Sequence, residues 1–237
     1  MVGLSQIAGA YALLLMSTTD AAPREVAAAA TGLVADMELP GLWAGHLVTF
    51  GTRDIPFKGE VETRVDSFVL ARLVREGEII ELRQTACHVR FPKVAGVTVH
   101  MDTQALPETR VVFGVPDAAT AEDTLEGRSV VAWATEDLDD DGHPGVTVHV
   151  QAPVCSGELY VSNRSKTKAT ATLAPERLQG RAKVHVRQKI LGAEGACLSA
   201  VAKDTDEHQS GPFAYVPVPE GTTCEMLFSQ GWPVIAE

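Results

Sequence analysis

Four aspartates fall within five positions in the stretch Asp137-Leu138-Asp139-Asp140-Asp141-Gly142-His143, which lies between two valine-rich segments. Asp137, Asp139 and Asp141 alternate, so a tight loop can turn three carboxylates towards one point. Gly142 gives the chain the freedom to bring the next backbone carbonyl, that of His143, to the same place. Calcium takes about six to eight oxygen ligands at once, and the chemistry this spacing suits is Ca2+ binding through Asp137, Asp139, Asp141 and the His143 backbone. A solvated acidic turn uses the same residue types for backbone reasons, but it needs one or two of them. Four clustered carboxylates repel one another, and a cation relieves that repulsion.

A second concentration of charge has the opposite sign. Between residues 164 and 189 the chain carries Arg164, Lys166, Lys168, Arg177, Arg181, Lys183, Arg187 and Lys189 against one acid, Glu176. This local +7 leaves −18 on the remainder of a chain whose net charge is −11. Arg181, Lys183, His185, Arg187 and Lys189 alternate with Ala182, Val184, Val186, Gln188 and Ile190, so a strand there is basic on one side and apolar on the other. Arg164, Lys166 and Lys168 share one side of their own segment. Paired as a hairpin, these rows form one patch suited to an anionic polymer or an acidic protein surface. The alternative is an ordinary solvated face. Nucleic acid is disfavoured by the net charge and by the lack of aromatic residues interleaved with the basic ones.

Catalytic groupings are harder to assemble. The seven histidines show no HExxH spacing and no close metal-binding pair, Ser156 and Ser199 lack a GxSxG elbow, and Cys87 and His88 are neighbours that face opposite ways on a strand. Asp204 to His208 reads as a second acidic, solvated loop. A hydrolase whose paired carboxylates leave no local signature is the remaining enzymatic alternative.

The aspartate stretch resembles the EF-hand loop and, more closely, the DxDxDG calcium loops of secreted proteins such as dockerins and thrombospondin type 3 repeats. That resemblance implies ligands from Asp137, Asp139, Asp141 and the His143 carbonyl. It departs from the EF-hand at the twelfth position, which is Val148 and not glutamate, and the flanks read as strands. Such an incomplete set implies an affinity of about 0.1 to 1 mM. Gly41-Leu42-Trp43 is similar to the GxW entry of lipocalins, which implies a barrel able to carry a small apolar ligand. Trp43 as a plain core residue is the alternative.

These groups need a scaffold. With 237 residues, 45% hydrophobic and 5% aromatic, the chain can bury a core packed mainly by β-branched residues. Strands are expected over 42–50, 67–74, 78–84, 94–101, 110–115, 128–134, 146–150, 158–162, 167–173, 182–190 and 196–202, with a tight turn at 76–77 and a helical turn within 118–126. The expected fold is all-β, an antiparallel β-barrel or β-sandwich of one domain over 41–237, preceded by a short helix or linker at 23–40. The two halves carry faint parallels, Trp43 with Trp133 and Arg64 with Arg164, that a duplicated unit would explain. Residues 4–16 have the length of a signal-peptide core, too short to span a bilayer. Cys87, Cys155, Cys197 and Cys224 form an even set without zinc-finger spacing, which favours two disulfides and an exported protein. Three connectivities are open.

Overall fold

Long alternating segments become long strands. The computed structural model describes residue 39 and residues 41–55, 59–76, 79–94, 96–114, 124–153 and 155–236. Ten strands follow in order: β1 (Leu42–Ile55), β2 (Gly59–Glu76), β3 (Ile79–Arg90), β4 (Thr98–Met101), β5 (Thr109–Gly114), β6 (Leu125–Trp133), β7 (Val146–Gln151), β8 (Gly157–Ala174), β9 (Arg177–Glu194) and β10 (Thr205–Pro217). Two short helices complete the described chain, α1 (Ala196–Val201) and α2 (Cys224–Gln230). The signal-like segment and all but Leu39 of the expected N-terminal helix lie outside the described residues, as do residues 118–123 of the expected helical turn. Leu125 and Glu126 of that turn belong to β6.

All strands pair antiparallel in one sheet, in the order β4-β7-β8-β6-β5-β3-β2-β1-β10-β9, and β8 also pairs with β9. The all-β expectation holds, but the β-barrel does not. A barrel gives each strand two neighbours and leaves no edge. Here β8 has three partners, with β7 and β6 on successive stretches of one side and β9 along the other, and β4 ends the sheet with a single neighbour. The β8–β9 pairing folds the sheet back so that its inner faces pack on each other, as in the layers of a sandwich.

The main core draws on eight strands and includes Trp43, Leu73, Leu82, Phe113, Leu125, Ala171, Leu178, Phe213 and Tyr215. Trp43 is completely buried within it. Two of its aromatic rings lie across backbone that has no side chain: Tyr215 is in register with Gly45, and Phe113 with Gly127. A Cβ on Gly45 would meet the Tyr215 ring at 2.1 Å, and one on Gly127 would meet the Phe113 ring at 2.4 Å. Glycine is therefore required there for close approach.

The two halves of the hairpins end where expected or later. Glu76 pairs with Ile79, residue 77 of the expected 76–77 turn lies outside the described residues, and Ala174 pairs with Arg177 across Pro175 and Glu176. The strands expected at 158–162 and 167–173 are one strand, because the polar alternation from Ser162 to Lys166 suits a segment paired on both sides. The strand expected at 196–202 is instead α1. Cys155–Cys197 ties this helix to the start of β8, and Cys87–Cys224 ties α2 to β3. Beyond α2, Trp232, Val234 and Ala236 cover the outer side of β1 and β10 at Val48 and Ala214.

Candidate functional site

The aspartate loop joins β6 to β7 and is anchored at both ends. Trp133 donates its indole N–H to the Val161 carbonyl at 3.0 Å, and Leu138 packs with Val146, Val148 and Val161 in a separate core. Leu138 N–H donates to the Gly145 carbonyl and Gly145 N–H to the Glu136 carbonyl, both at 3.0 Å. Gly145 has φ +87°, and a Cβ there would lie 2.3 Å from the Val161 carbonyl oxygen, so only glycine lets the loop close against β8. Val148, at the twelfth position of the motif, is buried and offers no ligand.

Within the loop the carboxylates turn inward onto backbone amides. Asp137 accepts from the Asp141 and Gly142 amides at 3.3 and 2.9 Å, and Asp141 Oδ1 accepts from the His143 amide at 2.8 Å. Thr147 at the start of β7 donates its amide to Asp139 Oδ2 at 2.7 Å and its hydroxyl to Asp141 Oδ2 at 2.5 Å. The Thr147 hydroxyl, ahead of the His143 amide and the His143 and His149 imidazoles, holds the Asp141 carboxyl below the usual carboxylate range despite the opposing cost of desolvation. Asp137, Asp139 and Asp141 each bring a carboxylate oxygen within 4.8 Å of the others, a grouping that could hold a metal ion. Asp139 Oδ1 is buried and has no hydrogen-bond partner. Asp140, exposed with φ +55°, stands outside this trio.

Further carboxylates arrive through the sheet. Asp139 and Asp141 of the trio line a cleft of about 330 Å3 together with Asp102, His149 and Glu158. Asp102 follows β4, which pairs with β7, and Glu158 lies opposite His149 in the β7–β8 register, with its Oε1 3.1 Å from His149 Nδ1. Neither residue was legible in the sequence, since no local spacing joins them to the loop. The His143 ring stacks on Tyr160 at 3.9 Å between centroids, and its Nε2 lies 3.2 Å from the Tyr160 hydroxyl. Burial, with the neighbouring Glu194, pushes the Tyr160 phenol up to about 12. The donors facing the cleft are mainly carboxylate oxygens, a set matched to a hard cation.

The basic rows meet as a hairpin. In the β8–β9 register Arg164 faces Arg187, Lys166 faces His185, Lys168 faces Lys183, Thr170 faces Arg181 and Ser162 faces Lys189. Arg164, Lys166, Lys168, Arg181, Lys183, Arg187 and Lys189 are all exposed. Arg128 of β6 extends the row beside Lys168. Asp206 on β10 pairs with Arg187 at 3.0 Å; among the described residues no ion-pair partner meets Arg164, Lys166, Lys168, Arg181, Lys183 or Lys189. Like charges directly opposite each other on a sheet oppose folding, so this face holds a standing demand for counter-charge.

The expected loop at Asp204 to His208 is mostly the start of β10. Strand pairing there turns Glu207 inward, buried and ion-paired with Arg53, while Asp206 and His208 face out. His208 lies opposite His185 of β9, so the expectation of no close histidine pair is also corrected. Residues 21 to 23 positions apart in sequence become neighbours only through the β9–β10 register. Ser156 and Ser199 donate their hydroxyls to backbone carbonyls.

No protein-family profile matches this chain, and no curated protein matches it. Among solved structures, DynF from the dynemicin biosynthesis pathway of Micromonospora chersina is 11% identical over 78% of this chain and 83% of its own, with a TM-score of 0.38. OccK2 (OpdF) of Pseudomonas aeruginosa is 10% identical over 75% of this chain and 61% of its own, with a TM-score of 0.15. At these scores neither likeness bears on function.

Proposed function

We propose that this chain is an exported β protein that binds an anionic polymer or an acidic protein surface through the outer face of β8 and β9, with calcium as a structural ion in the aspartate loop. The observation that carries the reading is the β8–β9 register, which sets Arg164 against Arg187 and Lys168 against Lys183 on an exposed face where, among the described residues, Asp206 with Arg187 is the one ion pair these cations make with an acid. An anion laid along this face satisfies many cations at once and relieves their repulsion. The two disulfides support export to an oxidising compartment. Among the described residues no helix is long and apolar enough to cross a membrane.

The support for calcium is the chemistry of the donor set. Three loop carboxylates converge, Asp139 Oδ1 has no hydrogen-bond partner, and Asp102 and Glu158 line the same cleft as Asp139 and Asp141 and could add the oxygen that Val148 does not supply. Calcium held there would brace the loop against the start of β8, the strand that carries half of the basic face.

The test is retention on an immobilised anionic polymer such as heparin. The double variant Lys168→Glu/Lys183→Glu, which reverses one cross-strand pair at exposed positions, is expected to elute at clearly lower salt than the parent. Equal elution of the two proteins would overturn the binding face.

A further inference from the structure

We propose that His185, Asp206 and His208 form a second metal site on the outer face of β9 and β10, selective for a divalent transition metal of the zinc type. His185 and His208 are direct cross-strand partners, and Asp206 precedes His208 by two residues and so shares its side of the sheet. The imidazoles stack with centroids 4.3 Å apart and planes 14° apart. One ligand atom from each of the three residues falls within 4.8 Å of the others.

One of the three ligands is already held in place by a neighbour. Arg187 Nε holds Asp206 Oδ2 at 3.0 Å, which orients the carboxylate and leaves Oδ1 towards His185 Nε2, 2.5 Å away. An imidazole nitrogen of one strand and a carboxylate oxygen of the next thus already meet at one point. Tetrahedral zinc places its donors roughly 3.3 Å apart. The three side chains are exposed or half-buried, so small side-chain rotations can widen the His185–Asp206 contact and bring His208 to that spacing while the two strands keep the Cα positions fixed.

The chemistry differs from that of the aspartate loop. Two imidazoles and one carboxylate suit zinc, nickel or copper and not calcium or magnesium, which demand oxygen. The neighbours Lys166, Lys183 and Arg187 add positive charge, which disfavours an ion held by charge alone and leaves coordinate bonds to nitrogen as the source of affinity. Three protein ligands leave coordination open towards solvent on the basic face.

The experiment is calorimetric titration of the tag-free full chain with zinc at about pH 7.5, where unperturbed histidines are largely neutral, in saturating calcium so that the aspartate loop does not contribute. One equivalent is expected to bind, and cobalt is expected to give visible absorption distinct from the aqueous ion. His208→Gln and Asp206→Asn should each weaken zinc binding by roughly tenfold or more, while His100→Gln leaves it unchanged. No zinc binding by the parent chain, or equal affinity in the His208→Gln and Asp206→Asn variants, would overturn the site. Because the calcium reading is tested with a different ion and different residues, the two can fail separately.

Discussion

Asp139 carries a sharper demand than its neighbours. Its Oδ2 is met by the Thr147 amide, but its Oδ1 is buried without a donor, a condition that costs roughly 1–3 kcal/mol unless a cation, a proton or water relieves it. Asp139→Asn should therefore leave stability in chelator unchanged or raised, while abolishing the stabilisation by calcium. For the parent chain, calcium at about twenty times its dissociation constant should add about 2 kcal/mol. Thermal unfolding with calcium and with chelator checks both signs, and a calcium shift of the same size in the variant would remove the aspartate trio from consideration. His46 makes a separate claim at this scale. It is buried, accepts a hydrogen bond from the Ala236 amide at 3.0 Å, and faces Asp66 Oδ1 at 3.3 Å, with Arg64 on the same carboxylate. Burial holds its pKa below the ordinary 6.5, with Arg64 and Arg90 in the same sense and Asp66 opposing. The unfolded chain thus takes up a proton that the folded one resists, and stability falls as pH drops below about 6.5 until the depressed pKa is passed. His88 is shifted the same way by burial, Arg90 and His100 and adds to the effect. The unfolding temperature should decline from pH 8 to about 5, and less steeply in His46→Asn. Parallel slopes for the two proteins would remove His46 as a cause.

At the scale of elements, the short helices owe their positions to covalent ties and to few contacts. Cys87–Cys224 spans a separation of 137 residues and Cys155–Cys197 one of 42. Restricting the unfolded chain over those lengths corresponds to about 5 and about 4 kcal/mol as upper values. Reduction should therefore shift the urea midpoint markedly downward, and Cys155→Ser/Cys197→Ser should release α1 from the start of β8 with a smaller loss. Superimposable urea curves with and without reductant would contradict this account. The strands need no such ties, because each long pairing satisfies its own backbone groups and buries a shared face.

For the whole molecule, charge is segregated by the fold and not only by sequence. A chain of net charge −11 presents a face on which β6, β8 and β9 align Arg128, Lys168 and Lys183. Binding of a polyanion there should weaken steeply as salt rises, since the contacts are exposed and screened within about 10 Å at 0.1 M salt. Retention on heparin that does not change with salt would exclude electrostatic attachment.

The sequence by itself determined the alternation that makes strands, the disulfide set, the aspartate loop and the two basic rows, because each of these is written in residues close together along the chain. Even there it misjudged 196–202, a short apolar run too brief for periodicity to separate strand from helix, and the acidic stretch at Asp204 to His208, where β10 pairing overrode local turn preference. Tertiary structure alone decided the rest. Register chose which cations face each other, brought Asp102 and Glu158 to the loop, and set His185 against His208. The triple pairing of β8 replaced a closed barrel with a branched sheet. Register and branching depend on how distant segments share a core, and that information is spread over contacts that no single stretch of residues contains.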